Sequence, residues 1–362
     1  MKKTEHKYAH AEKKIWELVR NLQIGDKISG ERVLAKDHGI SYMTVRKAVD
    51  NLVAKGILTR IPKKGTYVAS HNEVTAKTKN IGYFLDSSIK EGLSSPYYSM
   101  IFDALEKEAT KNGYGLMYCS DFNRSSSLKK MEKIDGAVMS CFPRIENIIQ
   151  HVEKLVPVVC IDNCATDKTI ASVTIDNFNS VAASINYLYS LGHEQIGFIT
   201  GLHDSDVGRH RLAGYISALK SCGVEVDMEM VYKGDYSYQT GEEGADYFLS
   251  MDKQPTAIMC ANDTIAIGAI KKLRHRGLSV PEDISIIGFD DISIAAHIIP
   301  ALTTISAPVR EIARHSIEML TSLINGISLD SRHVTVPGRL IVRKSTAENK
   351  YNSLATGKLK AR

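Results

Sequence analysis

From Asn80 onward the chain alternates short apolar runs with stretches of helical periodicity, and few architectures accept that order. NIGYFLD precedes YYSMIFDALEKEATKNG, GLMYCSD, IDGAVMS and VPVVCIDN follow, and SVTIDN leads into a helix ending LYSLG. IGFITG then precedes RLAGYISALKSCG, and TAIMCAND with AIGAIKKLRHRG precedes ISIIGFDD. Runs that are apolar throughout belong to strands buried on both faces, and an intervening helix brings successive strands together in parallel. The pattern predicts an α/β body of two doubly wound parallel sheets, with a break near residues 162–176. Ligands in such sheets bind outside the carboxyl ends of the strands. Polar residues collect at those ends: Asp86, Ser120-Asp121, Asp162-Asn163, Asn262-Asp263 and Asp290-Asp291.

The first 70 residues obey a different pattern. Ala11, Ile15, Leu18, Val19 and Leu22 share one face of a helix over 8–22. A turn at Gly25-Asp26 precedes a second helix, ERVLAKDH, which Gly39 stops. Ser41 is placed to cap a third helix, YMTVRKAVDNLVAKG, with Val45, Ala48, Val49, Leu52 and Val53 on one face. ILTRI and GTYVA follow as alternating segments joined by the turn Pro62-Lys63-Lys64-Gly65. Three helices and a two-stranded wing predict a winged helix-turn-helix. Its third helix would present Tyr42, Met43, Thr44, Arg46 and Lys47 to the major groove, and Lys63 and Lys64 at the wing tip would meet the backbone or minor groove. Arg46 suits a bidentate contact to guanine or a phosphate contact, and the sequence leaves both open.

Charge supports a polyanionic partner for this head. Residues 1–70 carry 15 Lys and Arg against 7 Asp and Glu, net +8, whereas the remainder carries 31 against 34, net −3. Docking of a winged helix on a protein is the rival reading, and the recognition-helix residues count against it. With 43% apolar and 24% charged residues the chain reads as globular. No run approaches the ~18–20 apolar residues of a membrane span, and the basic start MKKTEHKYAHAEKK leads into no apolar segment, so no membrane and a cytoplasmic location are expected. The six cysteines lie mostly in apolar runs. Cys160 and Cys164, the close pair, lack a nearby His or Cys for a zinc spacing, so reduced thiols, no metal and no cofactor are expected. Phosphate-loop, nucleophile-elbow and dinucleotide fingerprints are missing, which argues against an enzyme.

GERVLAKDHGISYMTVRKAVDNLVAKGILTRIPKKGTYVA resembles the head of the GntR regulators along nearly its whole length. That resemblance implies DNA contacts from Arg32, Thr44, Arg46 and Gly65. Two departures stand out: Ile28-Ser29-Gly30 replaces the usual Leu-Pro-Ser, and Tyr42 stands where an arginine is common. A tyrosine cannot reproduce an arginine's bidentate contact, so base preference should differ. The stretch PTAIMCANDTIAIGAIKKLRHRGLSVPEDISIIGFDDISIAAHIIPALTTI, with LGHEQIGFITG and LIVRKST, resembles the LacI/GalR effector domain, itself similar to periplasmic sugar-binding proteins. The fusion resembles the arabinose-repressor subgroup, whose effectors are sugars.

The resemblance implies a cleft lined by Tyr97 and Tyr98 as stacking residues, Asp162 at a strand end, Arg211 gripping the ligand, Tyr236 as a stacking wall, and Asn262 and Asp290 as hydrogen-bonding partners. Planar polar groups pair with vicinal hydroxyls while aromatic faces cover C–H surfaces. Plainer roles compete: Asn262 or Asp290 as helix caps, Tyr97 and Tyr98 as core, Arg209 in place of Arg211, and His193 as structural. Residues 1–70 are then expected to bind operator DNA, 71–79 to form a flexible tether, 80–346 to bind effector and form a homodimer, and 347–362 to be a polar basic tail. The expected function is repression of carbohydrate-utilisation genes, relieved by a monosaccharide or a derivative; the alternatives are a regulator responding to a nucleoside or other non-sugar ligand, and a cytoplasmic ligand-binding protein without operator function. Only FNRSSSLKKMEK lies between two strands where the family has a longer helix, which predicts a shortened edge.

Overall fold

The computed structural model describes residues 2–62, 64–69, 78–86, 89, 91–120, 131, 133–140, 152, 155–162, 169–202 and 205–350, with backbone alone at 2–10, 54 and 120. They fall into two compact units, Met1–Thr78 and Lys79–Arg362. Most of the expected tether at 71–79, most of FNRSSSLKKMEK and the end of the tail lie outside the described residues. No described helix is long and apolar enough to cross a membrane.

The first unit is a winged helix-turn-helix. Helices α1 (Lys2–Val19), α2 (Glu31–His38) and α3 (Tyr42–Ala54) precede a hairpin of β1 (Leu58–Ile61) and β2 (Gly65–Val68). Helix α1 ends at Val19, short of the expected Leu22, because the amides of Asn21 and Leu22 turn to carbonyls three residues back. Gly39 stops α2 at φ 63°, a left-handed conformation that costs glycine little. The Ser41 hydroxyl caps α3 by accepting from the Thr44 amide at 3.2 Å. Ala11, Ile15 and Val19 pack with Leu34 and with Val45, Ala48, Val49 and Leu52, so the apolar stripes seen in the sequence are the buried faces. Val53, expected on that face, lies at its edge and is partly buried. At the base of the wing the Arg60 guanidinium, on β1, pairs with Glu31 of α2 and Asp50 of α3, each at 2.5 Å.

The second unit holds two six-stranded sheets. One contains β3 (Asn80–Leu85), β4 (Gly115–Ser120), β5 (Gly136–Ser140), β6 (Val158–Ile161), β7 (Ala171–Ile175) and β13 (His333–Val336), in the order β13-β7-β6-β5-β3-β4 and parallel throughout. The other contains β8 (Ile196–Ile199), β9 (Val231–Tyr232), β10 (Ala257–Cys260), β11 (Ser285–Asp290), β12 (Thr303–Ser306) and β14 (Arg339–Ile341), in the order β14-β12-β11-β10-β8-β9, parallel except for β14. The chain passes between the sheets three times. It leaves the first after β7 and enters helix α5 (Asn177–Ser190), which sits on the second; α4 (Pro96–Lys111) stays with the first. Helix α6 (Asp206–Ser221), α7 (Tyr238–Leu249) and α8 (Asp263–His275) build the second sheet's layers. After β12 the chain returns as α9 (Val309–Ile324), packed on α4, β5, β6 and β7, and continues into β13 before crossing again into β14.

The sequence reading anticipated one break, and the first sheet extends through β7 to the end of that interval. The two returns carry no periodicity signal of their own, since a helix or strand reads the same whichever sheet it joins.

Helices α7 and α8 meet through glycines. A Cβ on Gly241 would lie 2.0 Å from the Ile265 carbonyl oxygen, and one on Gly268 would lie 2.1 Å from that of Tyr238. Backbone opposed to backbone cannot yield as a flexible side chain can. Gly241→Ala should therefore destabilise the body by about 1–3 kcal/mol in urea denaturation; an unmoved midpoint would mean the helices separate freely.

Candidate functional site

On α3 the residues opposite the core form an exposed stripe: Met43, Arg46, Lys47 and Asp50, with Tyr42 beside it at the helix start. Spacing of three, four and seven residues sets these on one face, and the helix start carries the positive end of the dipole. Arg32 on α2 and Lys64 at the wing tip are also exposed, and Gly65 opens β2 at φ 126°. Thr44 is half-buried, and its hydroxyl lies 2.7 Å from that of Ser41, so it is part of the N-cap as well as of the expected interface. Lys63 falls outside the described residues.

The second cluster lies at the carboxyl ends of the body's strands. Arg211, on α6, is 5% exposed. Its Nε donates to the Asn177 side-chain oxygen at 2.8 Å, Nη1 donates to the Ala261 carbonyl, and the guanidinium stacks 3.6 Å above the centre of the Phe289 ring. Arg209, the rival, pairs with Asp206 at the surface. Asp162 follows β6 and Asp290 ends β11, so the two sheets bring one carboxyl each within electrostatic reach of Arg211. Asp162 Oδ1 accepts from the Tyr97 hydroxyl at 2.8 Å, whereas Oδ2 is buried with no hydrogen-bond partner among the described residues. Tyr98 stands edge-on to Tyr97 with ring centres 5.2 Å apart, and both rings also lean on the core.

Tyr236 holds φ 71°, a rare conformation for a bulky residue. Its ring lies flat against Gly201, where a Cβ would come within 2.1 Å of it. The Asn262 amide donates to the Tyr236 carbonyl at 3.2 Å while its oxygen caps α8 through the Ile265 amide at 2.8 Å. Asn262 is thus a cap and also a brace for Tyr236. Asp162 and Asp290 share the positive φ, at 65° and 110°. Strained backbone of this kind persists where surrounding structure enforces it, commonly at ligand sites.

Three residues that sequence reasoning did not assign complete the cluster: Asn177, Phe289 and Asp263. Asn177 opens α5 just after β7, and Phe289 directly precedes Asp290, so both sit at strand ends, as Asp162 and Asn262 do. Asp263, beside Asn262, is fully buried; it accepts from the Ile292 amide at 2.8 Å and from the Thr304 hydroxyl, buttressing the loop after β11. His193 is structural: its Nε2 donates to the Ala347 carbonyl at 3.0 Å, which leaves Nδ1 to accept from the Thr256 hydroxyl at 2.9 Å. Cys119, Cys160 and Cys260 are buried.

Burial dominates the ionisation of this cluster. It pushes the Asp162 carboxyl up to about 6 and Asp263 up to about 7, and holds Asp290 well above the ordinary carboxylate range despite Arg211.

An exposed cationic recognition face on a winged helix, carried with a two-sheet body whose strand ends converge on a polar cleft, defines a DNA-binding regulator governed by a small molecule. Residues 7–68 match the gntR family of bacterial regulatory proteins, and residues 185–346 match the periplasmic binding protein-like domain. The HTH-type transcriptional repressor CytR of Escherichia coli (strain K12) is 31% identical over 300 residues, covering 77% of this chain and 88% of its own. PurR of Pectobacterium carotovorum subsp. carotovorum (strain PC1), a repressor of the same type, is 28% identical over 335 residues, covering 88% and 97%. Among solved structures, a LacI-family regulatory protein from Chloroflexus aggregans superposes with a TM-score of 0.68 at 27% identity, covering 75% of this chain and 100% of that one. The Escherichia coli transcriptional repressor ascG gives 0.63 at 27%, covering 74% and 99%. The chain belongs to the family of HTH-type, LacI-like transcriptional repressors, and carries a gntR-type head on its effector domain. It is a regulator rather than an enzyme, with operator DNA and a small-molecule effector as its partners.

The raised carboxyls tie stability to pH. Asp263 takes up its proton more readily folded than unfolded, so its contribution is complete below pH ~4 and is lost as pH rises through about 7. Urea denaturation across pH 4 to 8 should show the body weakening with pH. Asp263→Asn, whose amide mimics the protonated acid, should make that slope shallower and leave the parts set by Asp162, near pH 6, and by Asp290. An unchanged slope would show that Asp263 stays ionised in the fold.

Proposed function

We propose that the protein is a cytoplasmic homodimeric repressor of carbohydrate-utilisation genes, released from its operator by an uncharged sugar. The head is residues 1–70, the tether 71–79, the effector and dimerisation body 80–346, and the tail 347–362. Arg32, Tyr42, Thr44, Arg46, Lys47, Lys63, Lys64 and Gly65 form the DNA surface. Tyr97, Tyr98, Asp162, Arg211, Tyr236, Asn262 and Asp290 form the effector site.

The observation that carries the ligand class is the buried Asp162 Oδ2. A buried acceptor left without a donor is costly, and a ligand hydroxyl would supply one. Arg211 is already engaged by Asn177, Ala261 and Phe289, so little cationic capacity remains for an anionic ligand, while the tyrosines offer faces for C–H surface. Paired carboxyls suit vicinal hydroxyls. A dimer follows from the head's size, because one small module makes too few contacts for a specific operator. An effector between the sheets changes their relation in each protomer, and with it the spacing of two heads on a pseudo-palindromic site. A coupling of roughly 1–3 kcal/mol changes operator affinity about 5- to 150-fold.

A thermal-shift screen of monosaccharides and nucleosides tests the ligand class. A monosaccharide should raise the melting temperature of the wild type and fail to do so for Asp162→Asn, which should retain operator binding. A response to nucleosides alone would overturn the sugar reading. On the DNA side, Arg46→Ala should weaken binding to the operator by roughly 5- to 150-fold, the worth of one bidentate or phosphate contact of ~1–3 kcal/mol. Effector affinity should not change; equal operator affinity in a fluorescence-anisotropy titration would remove Arg46 from the interface.

A further inference from the structure

Met43 is 66% exposed in the first turn of α3, and Tyr42 beside it is 39% exposed. Neither belongs to the head's core, which α3 joins through Val45, Ala48, Val49 and Leu52. The helix spacing sets Met43 on the same stripe as Arg46 and Lys47, three and four residues on. Asp50 closes the far end of that stripe through its pair with Arg60. The face therefore reads, from its amino end, thioether, guanidinium, ammonium, and then a carboxylate already neutralised. This large apolar group, between water and two cations, joins no core cluster among the described residues of the head.

Major-groove edges supply one kind of apolar partner. Guanine, cytosine and adenine offer donors and acceptors there, and thymine alone adds a methyl group. Methionine suits such a contact, being unbranched and polarizable, and able to follow a small target without a fixed donor geometry. We propose that Met43 reads thymine, its side chain lying against the C5-methyl of a base in each operator half-site. This inference rests on α3 as the recognition helix. It adds to that reading a sequence preference independent of Arg46: a thymine whose methyl is recognised by the side chain three residues before Arg46 on α3.

The test uses the full chain and DNA duplexes enriched by it from a random pool. In the enriched duplex each thymine is replaced singly by uracil, which keeps base pairing and removes only the methyl. Binding is measured by anisotropy for wild type, Met43→Ala, Met43→Leu and Arg46→Ala. In the wild type, uracil at one position per half-site should weaken binding about fourfold, the worth of one buried methyl group at ~0.8 kcal/mol. Met43→Leu should keep that penalty, and Met43→Ala should abolish it while binding the thymine and uracil duplexes equally. If uracil is tolerated everywhere, or costs the same with Met43→Ala, the proposal is overturned while a loss with Arg46→Ala leaves α3 as the recognition helix. If neither Arg46→Ala nor Met43→Ala alters affinity, α3 is not in the groove, and both readings fall together.

Discussion

A guanidinium withdrawn from water has to be compensated where it sits, and the cleft of this protein is arranged around the compensation of Arg211. Asn177 and the Ala261 carbonyl take two of its donors, and Phe289 offers the face of its ring. Asp162 and Asp290 supply the opposing charge from the ends of strands in different sheets. Three acids share this region with one arginine, and burial raises all three carboxyls above the ordinary range, Asp162 to about 6 and Asp263 to about 7. Asp162 Oδ2 still has no donor among the described residues, and the proposed uncharged ligand would supply one.

The head and body divide the work along the line that the charge pattern draws. Basic residues concentrate in the segment whose third helix faces outward, while the slightly acidic remainder holds the cleft. Within the head, Arg60 joins three elements through Glu31 and Asp50. A pair exposed to water contributes little to stability, so the value of this arrangement lies in fixing the wing against α2 and α3. A reading surface made of two elements is useful only if their relation is constant.

Much of this was legible in the sequence because the relevant signals are local. Glycine at 39, serine at 41 and the stripe Val45, Ala48, Val49, Leu52 fix the head's helices, and apolar runs fix the strands. The polar residues after those runs mark the strand ends, and Asp162 and Asp290 lie there within electrostatic reach of Arg211. Side-chain partnership was not legible. Asn262 carried one polar signal yet performs two structural tasks, and Asp263 beside it looked interchangeable with it but is wholly buried. Nor was the return of α9 and β13 to the first sheet visible, because nothing in a segment's own periodicity names the sheet it will cover.

That return has a consequence for how the chain is made. The first sheet takes its strands from residues 80–175, yet its edge strand β13 ends at Val336 and its covering helix α9 begins at Val309. During synthesis part of one face and one edge must wait uncovered until residues 309–336 have been made. The segment that completes it is separated from β7 by five of the second sheet's six strands, β8 to β12, a contact of long sequence separation and therefore slow to close. The nascent protein passes through a stage in which apolar surface and an open strand edge are exposed together, the condition under which chains of this size are most prone to mispair with one another.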